Sequence, residues 1–206
     1  MARRGTELRE HILWTAKDVF LEVGFERASM DVVAARAETS KRSLYAHFES
    51  KEKLFLAVIE LVRGLFLDHL RSPAELSPKP AEALVLFCGR YLEALLYRQS
   101  VRMGRIAMAE SERFPEGAAL YFDVLFTQVH ECLVTYLRAT FHRSPRTCDE
   151  AAHRLLAQVL HPRLPRALFG VDPLHANIPS ETPVPTLDLK SIRKAVAEAI
   201  DSLQTA

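Results

Sequence analysis

The stretch SMDVVAARAETSKRSLYAHF, residues 29–48, predicts two short helices separated by a tight turn. The first helix is expected at about 30–36 and the second at about 41–48. Ser29 and Ser40 each stand just before one of them, where a serine hydroxyl accepts a hydrogen bond from a free N–H of the first helical turn. Two short helices joined by three or four residues form the unit that places its second helix in the major groove of DNA. The stretch therefore predicts a helix-turn-helix.

The second of these helices has an apolar and a polar face. Leu44 and Phe48 lie four positions apart and are expected to face the core. Val32 and Val33 of the preceding helix are expected to join them. Just beyond, Lys51 is expected in the first helical turn that follows, where an ammonium group and a helix N-terminus suit a phosphate. The other face of the second helix holds Lys41, Arg42, Ser43, Tyr45, Ala46 and His47. All of these except Ala46 carry groups that meet base edges or phosphates. For the polar face of the second helix, the alternative to DNA binding is an ordinary face whose charged residues are only solvated.

The overall charge of the chain gives no signal for nucleic acid. The 206 residues carry a net charge of +1, and residues 1–55 hold ten Lys/Arg against nine Asp/Glu. Because phosphate contacts need local cations, the prediction of DNA binding depends on where the charges lie.

The composition is typical of a globular protein. The chain is 49% hydrophobic and 26% charged, and it is long enough to bury a substantial core. Charged residues interrupt every apolar run before the roughly 20 residues that a membrane span needs. No apolar signal segment follows Arg3 and Arg4, so a cytoplasmic protein is expected.

Apolar residues recur at spacings of three and four along most of the chain, which is typical of helices. Only seven glycines occur, and no alternating Val/Ile/Thr runs indicate a sheet. We therefore predict an all-α fold with a helix-turn-helix unit at 1–52 and a larger all-helical body at 53–206. The nine expected helices span about 6–24, 30–36, 41–48, 50–70, 81–98, 101–112, 116–142, 149–160 and 187–203.

Caps, glycines and prolines set the expected helix ends. Thr6 and Ser50 are expected as N-caps, Gly24 is expected to end the first helix, and Pro115 suits a first turn. The remaining prolines predict breaks at 72–80, at Pro162 and Pro165, and at 171–186.

No arrangement typical of an enzyme, a metal site or a cofactor site is found in the sequence. There is no His-x-x-x-His pair, Gly-rich phosphate loop or Gly-x-Ser-x-Gly segment. Cys88, Cys132 and Cys148 lie far apart and form no Cys-x-x-Cys pair. They are expected to be reduced thiols, with a redox-sensing thiol as the alternative.

The order of residues at 24–34 and 37–55 resembles the N-terminal domain of the tetracycline-repressor (TetR) family. The most specific part of this match is Leu-Tyr-Ala-His-Phe-Glu-Ser-Lys-Glu at 44–52. The resemblance implies a homodimer that reads a palindromic operator and responds to a small molecule bound in the C-terminal body. A constitutive or architectural DNA-binding protein without a ligand is the alternative.

The resemblance also assigns roles to single residues. It implies that Ser29 contacts a DNA phosphate. It also implies that Thr39 and Ser40, at the turn, approach the DNA backbone. An arm at Arg3 and Arg4 is implied to touch the minor groove. The base-reading positions hold Lys41, Arg42 and Ser43, and the phosphate-clamping positions hold Tyr45, His47 and Lys51.

Two residues depart from the family pattern, and both replace a common glycine. Glu38 stands in a turn that favours a positive backbone angle, and it is expected to point away from DNA. Arg42 adds a donor fork that can bind guanine through two hydrogen bonds.

The C-terminal body is expected to hold a neutral or weakly polar, apolar ligand. The run 107–116 is similar to the multidrug-efflux-regulator branch of the family. The helices near 149–160 and 187–203 occupy the family's dimerisation positions, and their apolar stripes suit a four-helix bundle. The residues expected to line the ligand cavity are Tyr91, Met103, Phe122, Phe126 and His130. The alternative is that they only fill the core.

Overall fold

The computed structural model describes residues 5–176 and 184–205, without the side chains of residues 67–69. The described residues form helices and connecting loops, and an isolated bridge between Tyr97 and His175 is their one β-type contact. The prediction of an all-α fold is confirmed. Arg3 and Arg4, the expected arm, lie outside the described residues.

The helices follow the predicted order. The first four are α1 (Thr6–Arg27), α2 (Met30–Arg36), α3 (Lys41–His47) and α4 (Lys51–His69). Next come α5 (Pro73–Leu76), α6 (Pro80–Leu96), α7 (Arg98–Ala109) and α8 (Pro115–Phe122). A π-helical turn (Asp123–Thr127) leads into α9 (Gln128–Phe141), and the last three are α10 (Pro145–Leu160), α11 (Arg163–Leu168) and α12 (Lys190–Thr205).

Two short helices were not predicted, and both contain prolines near their starts. Pro73 opens α5 at a position where no N–H is needed, and Ser72 and Glu75 form a capping box around it. Pro165 lies in the first turn of α11, where its missing N–H also has no helical partner. Proline was read as a helix breaker at both places, whereas here it favours a helix start.

The chain divides into two compact units. The first unit holds the residues up to Leu65 together with Arg102–Tyr121, and the second holds Phe66–Val101 and the residues from Phe122 onward. The domain boundary at residue 52 stays a prediction.

An aromatic cluster forms the core of the first unit. The centre of the Phe55 ring lies 5.1 Å from the centre of the Phe20 ring and 5.0 Å from that of the Phe25 ring. Phe114 joins the cluster, with its ring 4.6 Å from that of Phe25. Edge-to-face and tilted ring pairs at such distances add to the free energy gained from burial. The cluster therefore anchors α1 and α4 beside the helix-turn-helix.

The second unit is built around α6, α9, α10 and α12. The apolar residues of α10 and α12 face each other and the rest of this unit. Packing within the chain covers most of these stripes, and the part that both helices play in a contact between subunits stays a prediction. The outward faces of both helices are polar. The buried stripe residues are Leu155, Leu156, Val159, Ile192 and Val196.

Gly24 interrupts the helical geometry of α1. Its backbone angles are φ 78° and ψ 171°, and the chain then makes one more turn to Arg27. Gly5, and not Thr6, occupies the N-cap position. The prediction that Gly24 ends the regular helix holds for its backbone angles, since this region is open almost only to glycine.

Replacing Gly24 by alanine is therefore expected to lower the free energy of unfolding by about 1–3 kcal/mol. A Cβ placed there meets no atom within 4 Å, so backbone strain is the cause. Gly64→Ala in α4 is the matched control, since its added Cβ also meets nothing and an alanine inside a helix stabilises by about 0.5–1 kcal/mol. Urea unfolding measures both variants, and equal effects would contradict the assignment.

Candidate nucleic-acid interface

The helix-turn-helix is held in place by caps at both of its helices. The Ser29 hydroxyl accepts a hydrogen bond from the N–H of Val32 at 3.2 Å, and the Ser40 hydroxyl accepts one from the N–H of Ser43 at 3.0 Å. Between them, the N–H of Thr39 donates to the carbonyl of Ala34 at 3.0 Å. These bonds satisfy free donors of both helix starts and fix the turn.

The buried face of α2 differs from the predicted one. Met30, Val33 and Ala34 are buried, with spacings of three and four, whereas Val32 is 42% exposed. Val32 was expected in the core, which is wrong, because it lies on the opposite side of the helix from this stripe.

The polar face of α3 is exposed to solvent. Leu44 and Phe48 are buried as predicted, and they anchor the helix on the first unit. Tyr45 is 48% exposed. Lys41, Arg42 and Ala46 are also exposed, whereas Ser43 and His47 are half-buried. The structure thus places the expected base-reading and phosphate-clamping residues of α3 on one short helix with access to solvent.

Two cations of this surface have different surroundings. The Lys41 ammonium lies 2.7 Å from a carboxylate oxygen of Asp31 on α2. Both groups are more than half exposed, and such a pair contributes little to stability. The guanidinium of Arg42 is exposed and has no hydrogen bond or ion pair with any described residue. The sequence interpretation missed Asp31 as the partner of Lys41.

Lys51 begins α4, and its ammonium group is bound within the protein. Its ammonium donates to the main-chain oxygens of Phe25 at 3.0 Å, Glu26 at 3.2 Å and Ala28 at 3.1 Å. It also lies 4.3 Å from the centre of the Phe25 ring. A phosphate contact at Lys51 would require one of these bonds to be given up, because an ammonium has three donors. These carbonyl partners, 23 to 26 positions away along the chain, could not be predicted from the sequence.

The turn position at Glu38 adopts the backbone predicted from the family pattern. Its φ is 49°, in the left-handed region that favours glycine. The side chain is exposed.

We expect Glu38→Gly to raise the free energy of unfolding by up to about 1 kcal/mol, since it removes the strain of a side chain at positive φ. Glu38→Ala keeps the strain and removes the same charge, so it is expected to leave stability nearly unchanged. Thermal unfolding of the two variants separates backbone strain from charge. Equal stabilisation by both would assign the effect to the carboxylate.

The expected ligand-lining residues have unlike surroundings. Tyr91 is fully buried in the second unit, and its hydroxyl donates to the Leu125 carbonyl at 2.7 Å. Phe122 is 59% exposed, with its ring 4.9 Å from that of Phe126. Met103 is buried in the first unit. Their grouping around one ligand stays a prediction.

The surroundings of the cysteines disfavour a redox-sensing role. Burial raises the pKa of the Cys88 thiol to about 12. Burial also raises the pKa of Cys132 and of Cys148. A thiol with a raised pKa holds little of the reactive thiolate near neutral pH.

A capped helix pair that presents an exposed, cation-bearing second helix defines a helix-turn-helix DNA-binding regulator. Residues 12–58 match the family model described as "Bacterial regulatory proteins, tetR family". Residues 82–180 match the model described as "AefR-like transcriptional repressor, C-terminal domain". The chain therefore belongs to the TetR family of bacterial transcription regulators, as the resemblance at 24–55 predicts. Membership in the multidrug-efflux branch stays a prediction.

Curated relatives match parts of the chain. The transcriptional activator FasR of Mycolicibacterium smegmatis is 44% identical over 63 residues, which are 28% of this chain and 29% of that protein. The transcriptional regulator UidR of Escherichia coli is 32% identical over 117 residues, which are 54% of this chain and 56% of that protein. The chain therefore spans between 29% and 56% of the length of these two relatives.

Solved structures match almost the whole chain. The flavonoid-responsive regulator FrrA has a TM-score of 0.73 and 27% identity, covering 98% of this chain and 97% of that one. A TetR-family regulator from Mesorhizobium loti has a TM-score of 0.77 and 18% identity, covering 99% and 98%, and shows the same fold. None of the helices in the described residues combines the length and apolar character that a membrane span requires.

Proposed function

We propose that this protein is a transcriptional repressor that binds a palindromic operator as a homodimer and is released by a small, weakly polar, apolar ligand. The observation that carries the proposal is the exposed face of α3, with Arg42 unpaired among the described residues and the helix fixed by the Ser40 cap. A fixed helix with free donors can read base edges without first breaking bonds within the protein.

The α3 face supports two kinds of contact with DNA. Lys41, Arg42 and Ser43 lie in its first turn, where a recognition helix meets base edges. Tyr45 and His47 follow one turn later and suit phosphates. The DNA backbone is also within reach of the residues at the two helix starts and the turn, which are Ser29, Thr39 and Ser40. Lys41 exchanges Asp31 for a phosphate or base when DNA binds.

A dimer places two copies of α3 in successive major grooves. Such sites lie one helical turn apart, roughly 34–36 Å. We propose that α10 and α12 form the contact between subunits, through their outward faces. Operator affinity then depends on the protein concentration that supports the dimer.

The proposed effector is an apolar or aromatic small molecule. The second unit supplies the aromatic residues that an apolar pocket needs, and the name of FrrA states that it responds to flavonoids. Ligand binding releases the operator if it favours a state in which the two copies of α3 no longer match the groove spacing. We propose repression because an occupied promoter needs no further contact with polymerase, although FasR is named an activator.

The test is a selection of bound fragments from random double-stranded DNA by the purified full-length protein at moderate salt. A palindromic site, bound by two chains in light scattering, supports the proposal. A set of fragments without a shared palindrome overturns it. A thermal-shift screen of small aromatic compounds then finds candidate ligands. A compound that binds and releases the operator supports the ligand-responsive repressor, whereas no compound would release a constitutive DNA-binding protein.

Arg42→Ala is expected to relax the base preference at one position in each half-site, at a cost of about 1–3 kcal/mol for the preferred base. The physical reason is the loss of a donor fork that binds guanine through two hydrogen bonds. Arg36→Ala is the control, because Arg36 is exposed on α2 and pairs with Glu22 at 2.6 Å. A repeated selection measures both variants, and an unchanged preference for Arg42→Ala removes that residue from base reading.

A further inference from the structure

Three potential metal ligands meet where α9 and α10 pack in the second unit. His130 lies on α9, and Asp149 and His153 lie on α10. One donor atom from each lies within 4.8 Å of the other two. Asp149 and His153 are four positions apart, so they share one face of α10. The sequence predicted no metal site, because the third residue comes from a different helix.

The distances are close to those of a metal site. Nε2 of His130 lies 3.5 Å from Oδ1 of Asp149, and Nδ1 of His153 lies 3.4 Å from Oδ2. Ligand atoms about 2.1 Å from a tetrahedral Zn²⁺ lie about 3.4 Å from one another. The two separations that involve Asp149 therefore match those around a tetrahedral ion, and the third pair of ligand atoms lies within 4.8 Å.

His130 carries the strongest indication. Its Nε2 is buried and has no hydrogen-bond partner among the described residues. The 3.5 Å approach to Asp149 lacks hydrogen-bond geometry. A buried ring nitrogen without a partner is unfavourable, and a bound cation would satisfy it. Nδ1 of His153 lies 3.0 Å from the main-chain oxygen of Asp149, and this contact would be exchanged for a metal bond.

We propose that His130, Asp149 and His153 bind a divalent transition-metal ion such as Zn²⁺, with water in the remaining position. Two imidazoles and one carboxylate favour Zn²⁺, Co²⁺, Ni²⁺ or Cu²⁺ over Mg²⁺ and Ca²⁺, which prefer oxygen donors. His153 and Asp149 are at least half exposed, which gives a hydrated ion access. The bound ion would tie α9 to α10. The site goes beyond the proposed function, since DNA binding does not require it.

The experiment titrates the chelator-treated, full-length protein with Zn²⁺ in competition with a chromophoric chelator. We expect one Zn²⁺ per chain and a higher melting temperature with Zn²⁺ than with Mg²⁺. His153→Ala and Asp149→Asn are each expected to weaken binding at least tenfold, a loss of about the size known for disturbed metal sites. Both side chains are at least half exposed, so these variants are expected to fold, which circular dichroism checks. His130→Ala tests the buried ligand in the same titration.

Two substitutions are the matched controls. Glu150→Gln removes an exposed carboxylate next to Asp149, and His161→Ala removes an exposed imidazole at the end of α10. Both are expected to bind Zn²⁺ like the unchanged protein. Absence of saturable binding overturns the proposal, as does unchanged binding by folded His153→Ala and Asp149→Asn. Thiolate charge-transfer absorption with Co²⁺ would do so too, since it would assign the ion to a cysteine.

Discussion

Replacing Phe55 by alanine is expected to lower the free energy of unfolding of the first unit by about 3–5 kcal/mol. Phe55 is 1% exposed, and its ring contacts those of Phe20 and Phe25. The substitution removes a large apolar group and leaves a cavity between α1 and α4, which cannot collapse without moving the helix-turn-helix. Trp14, the chain's one tryptophan, lies on α1 and reports this unfolding by fluorescence.

Phe169→Ala is the control for the loss of an aromatic ring. Phe169 is 87% exposed, so its removal is expected to change stability by less than about 0.5 kcal/mol. Phe55→Leu is expected to lie between the two, because it keeps most of the buried volume. A loss below about 1 kcal/mol for Phe55→Ala would show that the cluster does not hold the first unit together.

Lys51→Met is expected to lower the free energy of unfolding by about 2–3 kcal/mol. The ammonium donates to three carbonyls just past the kink of α1 and also faces the Phe25 ring. These carbonyls lie at the end of α1, where no helical N–H is left to bind them. Methionine keeps the apolar stem and loses the donors. Urea unfolding followed by Trp14 fluorescence measures the change.

Lys53→Met is the matched control, because Lys53 is exposed in the same first turn of α4 and no hydrogen bond or ion pair joins its ammonium to a described residue. Its loss is expected to leave stability nearly unchanged. Operator binding separates the two roles of Lys51. If Lys51 holds the fold, the slope of log affinity against log salt stays the same in the folded Lys51→Met protein. A slope reduced by about one would show a phosphate contact instead.

The helix-turn-helix was predictable because its signals are local. A serine cap and its N–H partner lie within three residues, and a buried stripe repeats every three or four. The caps at Ser29 and Ser40 and the core positions of Leu44 and Phe48 follow from such spacing. Val32 was misplaced because the buried stripe of α2 is formed by Met30, Val33 and Ala34, and Val32 lies on the opposite side of the helix.

The roles in the C-terminal body were less predictable, because a stripe shows that a residue is buried and does not show against what. The apolar stripes of α10 and α12 are largely buried, and the two helices pack on each other within the chain. The sequence shows such a stripe but not which neighbour covers it, so the contact between subunits stays a prediction. The proline-led helices α5 and α11 were missed because proline at a first turn and proline as a breaker have the same sequence signal.

The sequence by itself determined the helical class, the two caps, the order of helices and the exposed residues of α3. Tertiary structure alone decided that Lys51 binds the carbonyls of residues 25, 26 and 28, and that His130 meets Asp149 and His153. The reason is physical. Helix starts and periodic faces depend on neighbours within about one turn, which the sequence displays directly. Contacts between residues 19 to 26 positions apart depend on how helices pack, and no local spacing records that geometry.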